Sequence, residues 1–168
     1  MVCFDELGAL QTIPRGGQSW GASPARRSSR YSRQHGILQF FAAFCPQTGM
    51  AVGRGASRKT SEVCRDFLAE IVLKTWPHGR IHLILDNLSA HKAGPVREWA
   101  KEHVHRIRFH WLPTNSSWLN LIESYFANLQ RVALHNTDYR TPAEIEAGLQ
   151  RGLAYLNDHP TPYVWKKI

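Results

Sequence analysis

The sequence predicts an α/β fold, a mixed sheet flanked by helices, and three stretches carry that expectation. Ile81 to Leu85 is almost wholly apolar and too short for a helix. It reads as a strand buried on both faces, as strands of parallel sheets are. Ser61 to Thr75 sets Val63, Phe67, Leu68, Ile71 and Val72 on one helical face, which makes it a crossover helix feeding that strand with a right-handed connection. Ile37 to Phe44 and Met50 to Arg54, joined by Gln47-Thr48-Gly49, read as an antiparallel hairpin. A parallel crossover unit beside a hairpin gives a mixed sheet.

The remaining elements follow in chain order. Met1 to Phe4 is a short apolar strand closed by Asp5-Glu6. Leu7 to Gln34 is expected to be a long loop, with turn chemistry at Pro14-Arg15-Gly16-Gly17 and Gly21-Ala22-Ser23-Pro24. Thr60 or Ser61 caps the crossover helix, and Trp76-Pro77 ends it. Ala93 to His103 is a short helix with Pro95 in its first turn, where proline is tolerated. Ile107 to Trp111 alternates, Ile107, Phe109 and Trp111 against Arg108 and His110, as an edge strand does. Leu119 to Leu134 is an amphipathic helix with Leu119, Ile122, Phe126, Leu129 and Ala133 on its core face. Pro142 to Leu156 is the last helix, opened by the capping box Thr141–Glu144. No internal repeat or low-complexity run is present.

The bulk numbers narrow the partners. A chain of 168 residues suits one domain over 1–168, and 43% hydrophobic with 20% charged residues suits a folded core. A net charge of +8 and a pI near 9.8 favour a polyanion, with DNA first. No stretch approaches the ~20 apolar residues of a spanning helix, and no signal peptide opens the chain. Cys3, Cys45 and Cys64 are scattered, with no Cys-x-x-Cys pair; they read as reduced core residues of a cytosolic protein. His103, His105 and His110 lack acidic or cysteine partners at ligand spacing and read as surface histidines. Within the long loop Arg15, Arg26, Arg27, Arg30 and Arg33 occur with no lysine or acid between them. Arginine suits bidentate phosphate contact, so the loop reads as DNA-binding, the alternative being a solvated linker.

Three acids form the candidate site. Asp5 ends the first strand, Asp86 ends the strand after the crossover helix, and Glu123 starts the long helix beside Ile122. Acids at the carboxyl ends of sheet strands stand where open α/β sheets place their ligands. Asp86 as a turn starter and Glu123 as the partner of an Asn120 helix cap are the alternatives. Three crowded carboxylates repel each other unless cations bind among them. An all-oxygen set favours Mg²⁺ or Mn²⁺, and two such ions suit phosphodiester chemistry.

Further residues carry a resemblance. Asp86-Asn87-x-x-Ala90-His91 is followed by Leu112-Pro113-x-x-Ser116-x-Trp118-Leu119-Asn120-x-Ile122-Glu123. With Phe4-Asp5-Glu6, Pro14-Arg15-Gly16, Ala42-Ala43 and Pro162-Tyr163-x-Trp165, this resembles transposases of the mariner superfamily, in particular their bacterial insertion-sequence branch. The 37-residue separation of Asp86 and Glu123 agrees with that family's spacing. The resemblance implies a ribonuclease-H-like fold. It also implies an Asp5–Asp86–Glu123 triad that is both catalytic and metal-binding, with two Mg²⁺ or Mn²⁺ ions. The implied reaction is nicking at transposon ends and 3′-hydroxyl transfer into target DNA. His91, Trp118 and Asn120 fall at motif positions flanking the site and are expected to face DNA. The arginine-rich stretch takes the place of a clamp loop touching DNA and a partner subunit of a homodimer. The setting implied is the bacterial cytoplasm, at the nucleoid. The helix-turn-helix region that family members carry ahead of the triad is expected to be absent. Two other readings stand beside this one: a ribonuclease-H-like nuclease or resolvase that only hydrolyses, and an inactive DNA-binding remnant.

Overall fold

The computed structural model describes residues 1–13, 15 and 36–163. Five strands form one mixed sheet: β1 (Val2–Gln11), β2 (Ile37–Cys45), β3 (Met50–Ala56), β4 (Ile81–Leu85) and β5 (Ile107–Trp111). Their order across the sheet is β3-β2-β1-β4-β5. The pairs β1–β2 and β2–β3 are antiparallel; β1–β4 and β4–β5 are parallel. The first strand is therefore the central one, and every neighbour that buries it comes from later in the chain. This strand is also longer than its sequence suggests. Leu7 to Gln11 continue it against Leu38 and Ile37, with a register shift between Leu7 and Leu10. The expected loop from Leu7 thus gives up its first five residues to the sheet, because β2 extends far enough to satisfy their backbone. Trp20, Arg26, Arg27, Arg30, Arg33 and the tail after Tyr163 lie outside the described residues.

Helices cover both faces. On one face lie α1 (Ser61–Phe67), its π-helical continuation Leu68–Val72, the short turn α2 (Leu73–Thr75), α3 (Ser89–Lys92) and α4 (Gly94–Glu102). Thr60 caps α1 by accepting the Val63 N–H at 3.4 Å. The π turn changes which residues face the sheet: Cys64, Phe67, Leu68 and Val72 are buried, whereas Val63 and Ile71 are only half-buried. On the other face lie α5 (Ile122–Ala133) and α6 (Pro142–Asp158). Ile122, Tyr125, Phe126, Leu129 and Ala133 bury the inner side of α5. Leu119, expected in that stripe, is instead exposed in a 3-10 turn (Ser117–Leu119). Thr141 and Glu144 form the expected capping contact at 3.2 Å.

Alternation along β1 divides its residues between two cores. Val2 and Phe4 pack with Phe41, Phe67, Leu83 and Leu85. Cys3, Leu7 and Leu10 pack with Ile122, Phe126, Leu129 and Ile145. The adjacent acids Asp5 and Glu6 must then point to opposite faces. The three cysteines are buried and unpaired. Among the described residues no helix is long and apolar enough to cross a membrane.

Candidate active site

Asp5 and Asp86 meet through strand register. Val2 pairs with Leu83 and Cys3 with Ile84 in the parallel β1–β4 ladder. Carried forward, the same register sets Asp5 beside Asp86, one strand spacing of ~4.8 Å away. Asp5 lies within β1 rather than at its end, a correction that leaves its place beside Asp86 intact. Asp86 follows the last residue of β4, and its Oδ1 accepts the Leu88 N–H at 3.0 Å. That Asx turn satisfies the loop, so turn-starting and site roles coexist on one carboxylate.

Asn120 fixes the start of the helix that carries Glu123. The Asn120 side chain is buried and donates Nδ2–H to the Phe4 carbonyl at 2.9 Å. It therefore pins the start of α5 to the strand residue preceding Asp5. No side chain caps α5, so the alternative reading of Asn120 and Glu123 as a capping box is not met. Glu123 stands exposed in the first helical turn, three residues beyond the pin.

The electrostatics mark Asp5 as a carboxylate short of positive charge. Burial pushes its pKa up to about 7; the Glu6 N–H, donating to Oδ1 at 2.8 Å, pulls it down, while the charges of Glu6 and Asp86 push it up. A divalent cation would relieve this repulsion, and the all-oxygen donor set of Asp5, Asp86 and Glu123 fits Mg²⁺ or Mn²⁺. The consequence for stability has a definite sign. A carboxyl titrating at about 7 when folded and near 3.8 when unfolded binds more protons in the native state between those values. Asp5 therefore costs the metal-free protein stability as pH rises from about 4 to about 7, by at most about 4 kcal/mol. Thermal melts should show this fall, Asp5→Asn should flatten it, and Mg²⁺ should raise the melting temperature more above about pH 7 than near pH 5. A pH-independent Mg²⁺ effect would contradict the assignment.

Glu6, on the opposite face, opens a buried chain that sequence reading missed. His91 Nε2 lies 2.7 Å from Glu6 Oε1, and Lys59 Nζ lies 2.7 Å from Glu6 Oε2. On its other side His91 Nδ1 stands 2.8 Å from Asp86 Oδ1, at ion-pair distance but not aligned for a hydrogen bond. The His91 ring also lies 5.1 Å from the Phe4 ring, centroid to centroid. Burial opposes a charged imidazole, but the hydrogen bond and charge of Glu6 raise the His91 pKa, with Asp86 and Asp5 adding to it. Burial likewise opposes the Glu6 charge, yet His91 and Lys59 lower its pKa below the usual range.

Among the described residues, Glu6, Cys64 and His91 form the trio of metal-ligating side chains whose donor atoms gather within 4.8 Å. We read it as an ion-pair cluster: Lys59 and His91 already supply the cations, and burial pushes the Cys64 thiol far above its ordinary pKa.

The flanking residues separate by exposure. His91 has a fully buried side chain held by Glu6, and Asn120 is buried with its Nδ2–H on the Phe4 carbonyl. Trp118 is 74% exposed and free to meet a partner. Arg15 lies away from the acids, near the end of α5: its N–H donates to the Thr137 carbonyl at 2.9 Å, and with Leu134 and His135 it lines a shallow pocket. Beside Asp86, a cleft of about 300 Å³ is lined by Asn87, Leu88, Pro113, Asn115 and Ser117.

Comparison with known proteins bears on the fold and the family. The Mos1 transposase paired-end complex with left transposon end is 16% identical, with a TM-score of 0.61, covering 94% of this chain and 52% of that one. The Mos1 mariner paired-end complex with Mn is 14% identical, with a TM-score of 0.56 and the same coverage. The catalytic core domain of BIV integrase is 18% identical, with a TM-score of 0.56, covering 76% of this chain and 80% of that one. The fold is thus the ribonuclease-H-like fold of transposase and integrase catalytic cores. Residues 1–146 match the DDE superfamily endonuclease family, and the chain belongs to it. No curated protein matches the chain. The chain spans about half the length of the Mos1 chains it resembles.

Proposed function

We propose that this chain is the catalytic domain of a DNA transposase, cutting at transposon ends and transferring the freed 3′-hydroxyl into target DNA. The observation that carries the reading is the parallel β1–β4 register, Val2 to Leu83 and Cys3 to Ile84, which carried forward sets Asp5 beside Asp86, with Asn120 tying the start of the Glu123 helix to Phe4. Membership of the DDE superfamily endonucleases and the net charge of +8 support it.

In this reading Asp5, Asp86 and Glu123 hold two Mg²⁺ or Mn²⁺ ions. Divalent metal, when bound, supplies Lewis-acid activation of the attacking oxygen and charge to stabilise the leaving oxygen. The protein residues do the positioning. Asp5 sits within the sheet and Asp86 directly after β4, held by its turn to Leu88, which limits their spread, while exposed Glu123 adjusts from its helix turn. The cleft beside Asp86 receives the scissile backbone, and Trp118 meets DNA at its margin. Arg26, Arg27, Arg30 and Arg33 are proposed to contact DNA phosphates, as arginine chemistry favours, and to act as a clamp across a homodimer, as the family resemblance implies.

The test offers the chain a supercoiled plasmid and, separately, a labelled duplex with a free 3′-hydroxyl, in Mg²⁺, Mn²⁺ or chelator. Metal-dependent nicking with joining of the labelled end, blocked by a 3′-deoxy terminus, is the expected result. Nicking without joining would leave a nuclease or resolvase. DNA binding with neither activity would leave a remnant.

A further inference from the structure

We propose that the groove between β5 and α4 is a binding site for single-stranded DNA that leads away from Asp86. It rests on the DNA-processing reading above and adds a surface distinct from the triad and from the arginine-rich stretch. The groove has a volume of about 640 Å³ and is lined by Arg80, Lys92, Arg97, Lys101, Arg108 and Trp111. Among the described residues none of these five cations lies within 4.0 Å of a carboxylate. Arg97 and Lys101 fall one turn apart on α4, and Glu98 and Glu102, a step further round the helix, do not line the groove. Five cations with no carboxylate partner among the described residues, set along one concavity, make a local positive potential suited to a phosphate backbone.

The floor distinguishes the form of nucleic acid. Trp111 is 40% exposed, with Phe109 edge-on to its ring at 5.6 Å, and Val104 is exposed beside them. Lys92 Nζ stands 5.1 Å from the centre of the Trp111 ring. A duplex keeps its bases stacked inward and would engage only the cations. An unpaired strand can stack a base on the exposed indole while its phosphates meet the rim.

The groove begins next to the end of β4 that carries Asp86, and His91, 2.8 Å from Asp86 Oδ1, is among its lining residues. Trp111 is the register partner of Leu85, the residue before Asp86, and the following Leu112 N–H donates to the Leu85 carbonyl at 3.0 Å. Among the described residues β5 is the last strand of the sheet. A strand freed at a cut beside Asp86 could pass directly over Trp111.

Fluorescence anisotropy with a labelled oligo-dT strand in chelator tests the site without cleavage. Trp111→Ala should weaken oligo-dT binding by roughly 5- to 150-fold, the loss of one stacked base. Trp111→Phe should recover most of the affinity, which separates stacking from misfolding. An abasic strand of equal length should bind the parent and Trp111→Ala alike. Replacing Arg97 and Arg108 together by alanine should flatten the salt dependence for oligo-dT by about 1.4 in log–log slope. Equal oligo-dT binding by the parent and Trp111→Ala would overturn the proposal, as would an equal loss with the abasic strand. Plasmid nicking in Mg²⁺ is read separately. A chain that does not nick yet shows Trp111-dependent binding loses the transposase reading and keeps the groove. A chain that nicks while its oligo-dT binding ignores Trp111 does the reverse.

Discussion

Asp86→Asn should reduce metal-dependent nicking by at least about 10²-fold, the loss that a misplacement of ~1 Å at a reacting centre already produces. One oxygen of Asp86 is committed, accepting the Leu88 N–H at 3.0 Å and facing His91 Nδ1 at 2.8 Å. The second oxygen is then the one left for a cation. An amide in its place either gives up the Leu88 contact or turns its NH₂ toward the ion, and an NH₂ group cannot ligate Mg²⁺. The fold should survive. Removing the charge beside Asp5 relieves repulsion that helps hold the Asp5 pKa near 7. The metal-free variant should therefore melt at the parent temperature or above it, and should lose most of the stabilisation that Mg²⁺ gives the parent. Gel-based nicking beside thermal melts reads both effects. Nicking within a few-fold of the parent would remove Asp86 from the site.

His91→Ala should destabilise the protein by about 3–5 kcal/mol, the usual result of stripping one partner from a buried ion pair. The side chains of His91 and Glu6 are both fully buried, so alanine leaves Glu6 Oε1 without its hydrogen-bond partner and opens space beside Phe4. Lys59 holds only the other oxygen. Denaturant unfolding measures the loss. Its pH dependence follows from the two shifts. The raised pKa of His91 means that its stabilising contribution is complete below about pH 6.5 and fades as pH rises through the folded value. The lowered pKa of Glu6 means that its contribution is complete above about pH 4.5 and fades on acidification. The gap between parent and variant should thus be widest between those limits and shrink in alkali. In nicking assays His91→Ala should also need roughly 10- to 100-fold more Mg²⁺, because Asp86 loses the ion-pair partner 2.8 Å from its Oδ1. A variant as stable as the parent would mean that the buried chain contributes nothing.

The elements themselves were largely legible in the residues. Apolar alternation at Ile107 to Trp111, the short run Ile81 to Leu85, the turn Gln47-Thr48-Gly49 and the Thr141–Glu144 capping box each depend on neighbours within a few residues. Such local patterns write themselves into sequence because strand and helix periods are short. Asp5, Asp86 and Glu123 stood out together by their places at strand ends and a helix start, and the family's motif matched the same three; taken singly, Asp86 reads as a turn residue and Glu123 as a helix-start acid.

Only the tertiary structure decided how those residues are used. The start of the chain became the central strand because both of its neighbours arrive later, and the length of β2 drew Leu7 to Gln11 into the sheet. Asp5 and Glu6, adjacent in sequence, separated onto opposite faces through strand alternation. Glu6 then met His91 across 85 positions, a partner no local pattern names. The same packing gave His91 and Asn120 buried partners, Glu6 and the Phe4 carbonyl, that no local pattern names. The cationic groove over Trp111 needed β5 at the sheet edge beside α4. The sequence by itself determined which segments are strands, which are helices and which acids are available. Strand order and packing decided which charges are buried together, because a charge's partner and its exposure depend on distances between segments that local periodicity does not encode.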